Sequence, residues 1–317
     1  MNAILDNFSN PALLFFLLGI IASQVKSDLQ IPETSAKFIS VYLLMSIGFK
    51  GGQELIHAHA GLKVLAYSMI GIASAFCFPL ISFRILKKRM GVDNAAAIAA
   101  SYGSVSAVTF ITAIAFLDEK NVPYGSFMIA AMALMEVPAI IVGVYMVNRN
   151  SINQSRATFS SILKHAFTNG SVFLLIGSLI IGMMTSDKQA DGIRPFTTDI
   201  FKGFLTVFLL DMGLSAGRQL KGLWRNGPFV LAFSILTPII QGITLMTISS
   251  LIIHEPGNLF LMGVLGASAS YIAVPAAMRQ AVPNADPGIY LPMALGMTFP
   301  FNIIVGLPMY WFVASSL

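Results

Sequence analysis

Long apolar stretches separated by short polar segments recur along the whole chain. Each stretch holds roughly 20 mostly apolar residues, the length that a helix needs to cross the hydrocarbon core of a bilayer. Several contain internal glycine or proline, which packed membrane helices tolerate better than helices in water do. The pattern predicts ten membrane-spanning helices, at residues 8–24, 36–55, 62–86, 93–117, 124–147, 168–185, 197–216, 227–253, 257–279 and 287–315.

Composition agrees with a membrane protein and excludes several other classes. Of the 317 residues, 56% are hydrophobic and 10% are charged, and the mean hydropathy is +0.78, which leaves too little polar surface for a soluble protein. The basic residues lie at the ends of apolar stretches, so we expect no nucleic-acid partner. The single cysteine, Cys77, excludes an internal disulfide framework and a cysteine-based metal site. No catalytic triad, zinc-protease motif or P-loop is present, so we expect neither an enzyme nor a cofactor nor a transition-metal site.

Charge predicts how the helices are oriented. Thirteen lysines and arginines fall on one side of the predicted membrane and six on the other, and the richer side is normally the cytoplasmic one. This orientation places both termini outside the cytoplasm of a cell inner (plasma) membrane. The polar segment from Asn148 to Ser161 is predicted to be a short cytoplasmic linker. It divides the spans five and five, into a first repeat at 1–150 and a second repeat at 151–317.

The two halves resemble each other in sequence. A unit with an odd number of spans ends on the opposite side of the membrane, so a second copy has to insert upside down. The repeat therefore predicts an all-α integral membrane protein with ten transmembrane helices in 5+5 inverted-topology repeats, the architecture of a secondary transporter. The matches are Ser46–Leu55 with Asp211–Leu220, Ser104–Ser106 with Ser268–Ser270, Val122-Pro123 with Val282-Pro283, and Met132–Leu134 with Met293–Leu295.

The fourth span of each half is interrupted by small polar residues. If the helices break near Gly103 and Gly266, each following half-helix begins with free backbone N–H groups and a positive dipole end. Two such ends meeting in the middle of the membrane can bind an anion. The alternative is that the small residues only allow close helix packing. The predicted substrate-binding residues are Gly103, Ser104, Val105, Ser106, Ala107, Ser268, Ala269, Ser270 and Tyr271.

Glu136 is the leading candidate for ion coupling. A carboxylate near the middle of an apolar span is unfavourable and usually marks an ion or proton path. The corresponding region of the second half offers neutral oxygens on Thr298 and Asn302, and Thr109 follows the first interruption. Such oxygen ligands suit Na⁺ as the coupling ion, whereas a single titrating Glu136 would equally suit H⁺. A further alternative is a glutamate that only contributes to packing.

At these motifs the chain resembles the SbtA-type family of sodium-dependent bicarbonate transporters over nearly its whole length. The resemblance implies a core domain that carries the substrate, a gate domain, an elevator-type movement and a homotrimer. It also implies bicarbonate between the fourth and ninth spans with Na⁺ beside it, and a PII-like regulator on the cytoplasmic face. The residues that carry the resemblance are Gly103–Thr109, Met135–Pro138, Asp211–Gly213 and Ala277–Pro287.

Two positions depart from the family pattern. Tyr271 stands where cyanobacterial members carry an acid, and Glu136 stands where they carry aspartate. We expect Na⁺-coupled symport of bicarbonate or a similarly small inorganic or organic anion. One alternative is H⁺-coupled transport of a small organic acid. The other is a membrane-embedded sensor that binds a small ligand without transporting it and signals to a cytoplasmic partner.

Overall fold

The computed structural model describes residues 10–57, 61–125, 127–150, 170–225 and 227–317. Within these ranges every regular element is helical. The helices are α1 (Pro11–Gln24), α2 (Glu33–His57), α3 (Gly61–Gly103), α4 (Ala107–Glu119), α5 (Phe127–Asn150), α6 (Gly170–Met184), α7 (Asp187–Arg194), α8 (Phe201–Arg225), α9 (Pro228–Ser250), α10 (Pro256–Ala267), α11 (Ala273–Ala281) and α12 (Pro287–Ala314).

Local sequence signals set where several helices begin. The Asn10 side chain accepts hydrogen bonds from the N–H groups of Ala12 at 2.8 Å and Leu13 at 3.4 Å, immediately before Pro11 opens α1. Asp286 caps α12 in the same way, through the N–H of Gly288. A proline in the first helical position has no N–H to leave unpaired, and the preceding side chain bonds the next free donors.

Two helices depart from regular geometry. α3 turns sharply at Gly91, whose φ of 74° and ψ of 171° lie outside the helical region. The predicted spans 62–86 and 93–117 lie on either side of this turn, so the connection between them is very short. α12 contains π-helical segments at Pro292–Thr298 and Asn302–Gly306. The prolines in α12 remove backbone donors, which favours such local changes in the hydrogen-bond ladder.

The all-helical fold is confirmed, while the number of membrane spans stays a prediction. Among the described residues, five stretches are long and apolar enough to cross a membrane, and one of them contains both the turn at Gly91 and the break after Gly103. The domain division at residue 150 stays a prediction too, because residues 151–161 of the expected linker lie outside the described ranges. The five stretches are Leu65–Glu119, Phe127–Asn150, Asp187–Leu220, Pro228–Ser250 and Pro287–Ala314, and shorter apolar helices occupy Pro11–Gln24, Phe173–Met184 and Pro256–Ala267.

Two helix pairs pack so closely that only glycine fits at the contact. A Cβ atom added at Gly213 of α8 would overlap the carbonyl oxygen of Phe16 in α1. A Cβ atom added at Gly52 of α2 would overlap the carbonyl oxygen of Leu179 in α6. Small residues at membrane helix contacts allow this approach of backbones. The first helix of each predicted half thus packs against the second helix of the other half.

The surface and the interior of the helical assembly are both apolar. Large side chains such as Leu18 and Ile21 of α1 and Leu236 and Ile240 of α9 are exposed, as expected for helices that face lipid. Helices α4, α5 and α10 have mostly buried side chains, and every residue from Gly257 to Ala267 is buried. The interrupted segments predicted from the sequence therefore lie in the most enclosed part of the protein.

Candidate functional site

The two segments rich in small polar residues are interrupted in the structure, as predicted. α3 ends at Gly103 and α4 begins at Ala107, while α10 ends at Ala267 and α11 begins at Ala273. Only glycine fits at position 103, where the first break starts, because a Cβ atom there would overlap the ring of Pro79. Each break leaves a short extended connection that exposes backbone donors and acceptors away from helical partners.

The two breaks bond directly to each other. The backbone N–H of Ser106 donates to the hydroxyl oxygen of Ser268 at 3.0 Å. The backbone N–H of Ser270 donates to the carbonyl oxygen of Ser101 at 2.8 Å. All four residues are buried, so these bonds satisfy polar groups that water does not reach. The two interrupted segments, far apart in sequence, therefore form one joined crossing.

Serine side chains cap both half-helices that leave the crossing. The Ser106 hydroxyl accepts from the N–H of Thr109 at 3.2 Å, and the Ser270 hydroxyl accepts from the N–H of Val274 at 3.2 Å. A serine hydroxyl that accepts one bond retains its own hydrogen for donation. The first N–H groups of α4 and α11, at Ala107 and Ala273, precede these capped positions and have no helical acceptor. Each helix start thus presents both hydroxyl and amide donors.

A cavity opens beside the crossing and brings together part of the predicted site. Its empty volume is about 420 Å³, including its open mouth. Both half-helix starts reach it, and its polar side chains come from the crossing and from the neighbouring helices α2 and α5. The residues that line it are Ser40, Leu43, Leu44, Val105, Ser106, Ala107, Val108, Ile111, Glu136, Phe208, Ser270, Tyr271, Ile272 and Ala273.

Glu136 of α5 is the acidic residue that lines this cavity. Its side chain is partly exposed, and no hydrogen bond or ion pair joins its carboxylate to a described residue. A carboxylate in an apolar setting is unfavourable unless a cation, a proton or several donors compensate it. The Tyr271 hydroxyl is buried beside the Ser106 side chain without a hydrogen bond of ordinary geometry. The cavity thus combines hydrogen-bond donors with an uncompensated carboxylate.

Several predicted residues lie close to the crossing but do not line the cavity. These are Gly103, Ser104, Thr109, Ser268 and Ala269. The Ser104 hydroxyl is buried without a hydrogen bond. The Ser268 hydroxyl donates to the carbonyl oxygen of Leu265 at 2.9 Å while it accepts from Ser106. These residues build the crossing, and the contacts of the cavity are made by Val105, Ser106, Ala107, Ser270, Tyr271 and Glu136.

The candidate ion ligands of the second half already bond to protein groups. Thr298 donates to the carbonyl oxygen of Ser234 at 2.7 Å and its hydroxyl lies 2.7 Å from that of Tyr102. The Asn302 amide donates to the carbonyl oxygen of Ala267 at 2.8 Å, where α10 ends. Neither residue lines the cavity that contains Glu136. Asn302 therefore attaches α12 to the end of α10, and Thr298 attaches α12 to α3 and α9.

Sequence reasoning missed the side of the cavity that faces the crossing. Ser40, Leu43 and Leu44 of α2 and Phe208 of α8 complete the wall. A signal for this face was present, because residues 40, 43, 44 and 47 follow the spacing of one side of a helix. The matched glycine segments distinguish these two helices in the sequence, but their spacing does not indicate which face meets the crossing.

Comparison with known proteins identifies the family of the chain. The model of the Na⁺-dependent bicarbonate transporter superfamily matches residues 11–315. The matched range contains both breaks, Glu136 and all the residues that line the cavity. No curated protein matches the chain. The family match confirms the resemblance carried by the sequence motifs. It identifies a Na⁺-dependent transporter and not an enzyme. The long apolar helices of the described residues indicate, together with the family, a multi-pass membrane protein. The chain belongs to the Na⁺-dependent bicarbonate transporter superfamily.

Proposed function

We propose that this protein is a secondary active transporter that couples uptake of bicarbonate, or a similarly small anion, to Na⁺ in symport. The observation that carries the proposal is that the starts of α4 and α11 reach the same cavity as Glu136. Donors for an anion and a carboxylate for a cation are then within one enclosure. Such an arrangement fits a transporter whose two substrates bind together.

The donors around the cavity fit a small oxyanion. Hydrogen bonds can be donated by the hydroxyls of Ser106 and Ser270 and by the first backbone amides of α4 and α11. Both helices also direct their N-terminal ends, which carry a partial positive charge, toward the cavity. Among the residues that the structure describes, no lysine or arginine lines it. A monovalent planar oxyanion such as bicarbonate needs several donors but no full positive charge. This chemistry supports the predicted substrate-binding role of the crossing.

The carboxylate of Glu136 explains why anion binding would need a cation. An ionised Glu136 and a bound anion repel each other strongly in a cavity with little water. A Na⁺ ion between them removes this repulsion, and oxygen ligands from Glu136 and the anion itself suit a hard cation. The ion-coupling roles of Thr109, Thr298 and Asn302 stay predictions. For Thr298 and Asn302, ion binding would require their present hydrogen bonds to break.

Protonation of Glu136 would also remove the repulsion. The same lack of a polar partner therefore favours, as a second candidate, H⁺-coupled transport of a small organic acid. The two candidates differ in whether uptake follows the Na⁺ gradient or the proton gradient. Uptake that continues when K⁺ replaces Na⁺, but stops in Glu136→Gln, would favour the proton.

The predicted inverted repeats and elevator-type movement belong to the same proposal. The reciprocal packing of α1 on α8 and of α2 on α6 supports a two-fold relationship between the halves. In this proposal α1, α2, α6 and α8 form the gate domain, and the crossing with α4, α5 and α11 belongs to the core domain. The cavity lies between the two sets of helices. Sliding of the core along α2 and α8 would carry the cavity from one side of the membrane to the other.

The remaining features of the proposal rest on the family resemblance and on charge. They are ten spans, a location in the inner membrane with both termini outside the cytoplasm, a homotrimer and a PII-like cytoplasmic regulator. Of these features, the orientation is supported by the chain itself, through the excess of basic residues on one side of the predicted membrane. Cross-linking in native membranes would test the trimer, and labelling of single introduced cysteines would test the position of the termini.

Uptake of labelled bicarbonate into proteoliposomes, with and without an inward Na⁺ gradient, tests the function. We expect Na⁺-driven accumulation in the wild type and none in Ser106→Leu or Ser270→Leu, because leucine fills the space beside the helix starts. Ser106→Ala and Ser270→Ala should weaken uptake by removing a donor. Ser74→Ala is the matched control, since the Ser74 hydroxyl is buried but bonds to its own helix at Gly71.

The same preparations separate transport from sensing. Correctly folded wild-type protein that binds bicarbonate but shows no flux would support the membrane sensor. Flux that remains unchanged in both leucine variants would place the substrate site elsewhere. Gel filtration of each purified variant checks that a loss of uptake is not a loss of the fold.

A further inference from the structure

A second cavity lies along α2, α4 and α8, which also line the first cavity. It has an empty volume of about 600 Å³, including its open side. Its walls come from α2, from the end of α4 and the loop after it, from α5, from the π-helical segment Pro195–Asp199 and from the start of α8. The residues that line it are Ser46, Ile47, Lys50, Ile114, Ala115, Asp118, Tyr124, Ile129, Thr197, Thr198, Phe201 and Lys202.

The second cavity carries more positive than negative charge. Lys50 of α2 and Lys202 of α8 approach it from facing helices, and Asp118 at the end of α4 is its acidic residue. Lys50 is half-buried, while Lys202 and Asp118 are exposed. The hydroxyl groups of Thr198 and Ser46 add hydrogen-bond donors that suit an oxyanion. Lysine ammonium groups in a recess with apolar walls raise the local concentration of small anions.

The two cavities follow one another along the same three helices. On α2 the lining advances from Leu43 and Leu44 in the first cavity to Ile47 and Lys50 in the second. On α4 it advances from Ile111 to Ile114, a rise of about 4.5 Å at the helical spacing of residues. α8 runs the other way, and its lining passes from Phe208 to Lys202.

Apolar side chains separate the two spaces. Leu43 and Ile47 on α2, and Ile111 and Ile114 on α4, are all buried. They lie along the two helices between the polar lining residues of the first cavity, Ser40 and Ser106, and the charged lining residues of the second, Lys50 and Asp118. An anion in the second cavity would therefore be close to the first, yet held from it by a single apolar layer. Movement of α4 relative to α2, as proposed for transport, would change this layer.

We propose that the second cavity is an access vestibule that binds the transported oxyanion before it reaches the crossing, with Lys50 and Lys202 as its cationic groups. The vestibule rests on the proposed transport function, because it presumes that a small anion passes between α2 and α4. By the charge distribution of the predicted loops, it opens on the side of the membrane opposite the cytoplasm. Asp118 limits the net charge, so that the anion is attracted without being retained.

Uptake of labelled bicarbonate by proteoliposomes with Lys50→Gln, Lys202→Gln and the double variant tests the vestibule. At low ionic strength and constant Na⁺, we expect the half-saturating bicarbonate concentration of the double variant to rise roughly three- to tenfold, with an unchanged maximal rate. The difference in half-saturating concentration between the double variant and the wild type should shrink as ionic strength is raised with the choline salt of a large sulfonate. The double Lys-to-Arg variant keeps both charges and should behave like the wild type.

Lys188→Gln is the matched control, because Lys188 of α7 is exposed and does not line the cavity. If the half-saturating bicarbonate concentration at low ionic strength is unchanged in Lys50→Gln, in Lys202→Gln and in the double variant, the vestibule is rejected. An equal rise in Lys188→Gln would also reject it, since that rise would indicate a general effect of surface charge. Lys202→Gln, at an exposed position, keeps the test available if the double variant does not fold.

The controls also separate this proposal from the transport function. If Ser106→Leu stops uptake while the lysine variants behave like the wild type, the vestibule is rejected and the proposed transport function is retained. Absence of Na⁺-driven uptake in the wild type would reject the proposed function itself and with it the vestibule.

Discussion

The backbone N–H of Ser106 donates a hydrogen bond to the hydroxyl of Ser268, 3.0 Å away. The hydrogen of the same hydroxyl is directed at the carbonyl oxygen of Leu265, at 2.9 Å. The oxygen lone pair that meets Ser106 is therefore held in place by the helix that precedes the second break. Through this relationship the end of α10 fixes the start of α4, and the two interrupted segments are expected to move as one body.

Replacing Ser268 with alanine should destabilise the crossing. The buried N–H of Ser106 would lose its acceptor, and an unsatisfied buried donor lowers the free energy of unfolding by about 1–3 kcal/mol. Thermal unfolding of the purified protein in detergent measures the change. Ser104, the repeat counterpart of Ser268, is the control, because its buried hydroxyl makes no hydrogen bond. Ser104→Ala should change stability by less than about 0.5 kcal/mol, and equal effects at both positions would contradict the role assigned to Ser268.

Replacing Glu136 with glutamine should separate anion binding from the cation. Glutamine keeps the size of the side chain but removes the charge that repels an anion in the cavity. We expect the variant to bind bicarbonate without Na⁺, whereas the wild type requires Na⁺, and to lose Na⁺-driven accumulation. Calorimetric binding with and without Na⁺, together with uptake, measures both effects. Glu33→Gln, at an exposed position outside the cavity, should leave the Na⁺ requirement intact, and a retained requirement in Glu136→Gln would refute the coupling role.

The sequence predicts the helix breaks well because their cause is local. Gly103 and the serines after it disfavour a continuous helix, and the paired motif at Ser268 and Ser270 repeats the signal. The partners across the crossing could not be predicted in this way. The bond from Ser270 to the carbonyl oxygen of Ser101 depends on how two distant segments meet, and no spacing in the sequence encodes that contact.

The two cavities show the same limit. Glu136 stands out in the sequence because a charge in an apolar span is rare, and the structure places it in a cavity with the helix starts. Lys50 and Lys202 look like ordinary residues at span ends, where charged groups are common. Only the packing of α2 beside α8 brings them to one recess. Similarly, the sequence predicts Thr298 as a neutral oxygen ligand, but it does not reveal the bond from Thr298 to Ser234, because that bond joins separate helices.

Alanine at Gly213 should destabilise the protein by forcing α8 away from α1. The added methyl group would meet the carbonyl oxygen of Phe16, and overpacking of this kind lowers the free energy of unfolding by about 1–3 kcal/mol. Gly203→Ala, on the same helix with open space around it, should be neutral or slightly stabilising. Thermal unfolding compares the two. The reciprocal contact makes the same prediction for Gly52→Ala on α2, with Gly177→Ala on α6 as its control.

Valine at Thr298 should affect stability and leave Na⁺ affinity unchanged. The substitution keeps the shape of the side chain but removes the hydroxyl that bonds to Ser234 and Tyr102. The Tyr102 hydroxyl, which is buried, would lose this partner, so we expect the free energy of unfolding to fall by about 1–3 kcal/mol. The Na⁺ concentration for half-maximal uptake should not change, because Thr298 does not line the cavity that contains Glu136.

Thr247→Val on α9 is the control for loss of a threonine hydroxyl, since Thr247 is exposed and bonds only to its own helix at Ile243. It should change neither stability nor Na⁺ affinity appreciably. A clear rise in the Na⁺ requirement of Thr298→Val, without a loss of stability, would instead make Thr298 an ion ligand in a conformation where its bond to Ser234 is broken. The coupling ion would then bind between α12 and the crossing, because Asn302, one turn from Thr298 on α12, bonds to the end of α10 at Ala267.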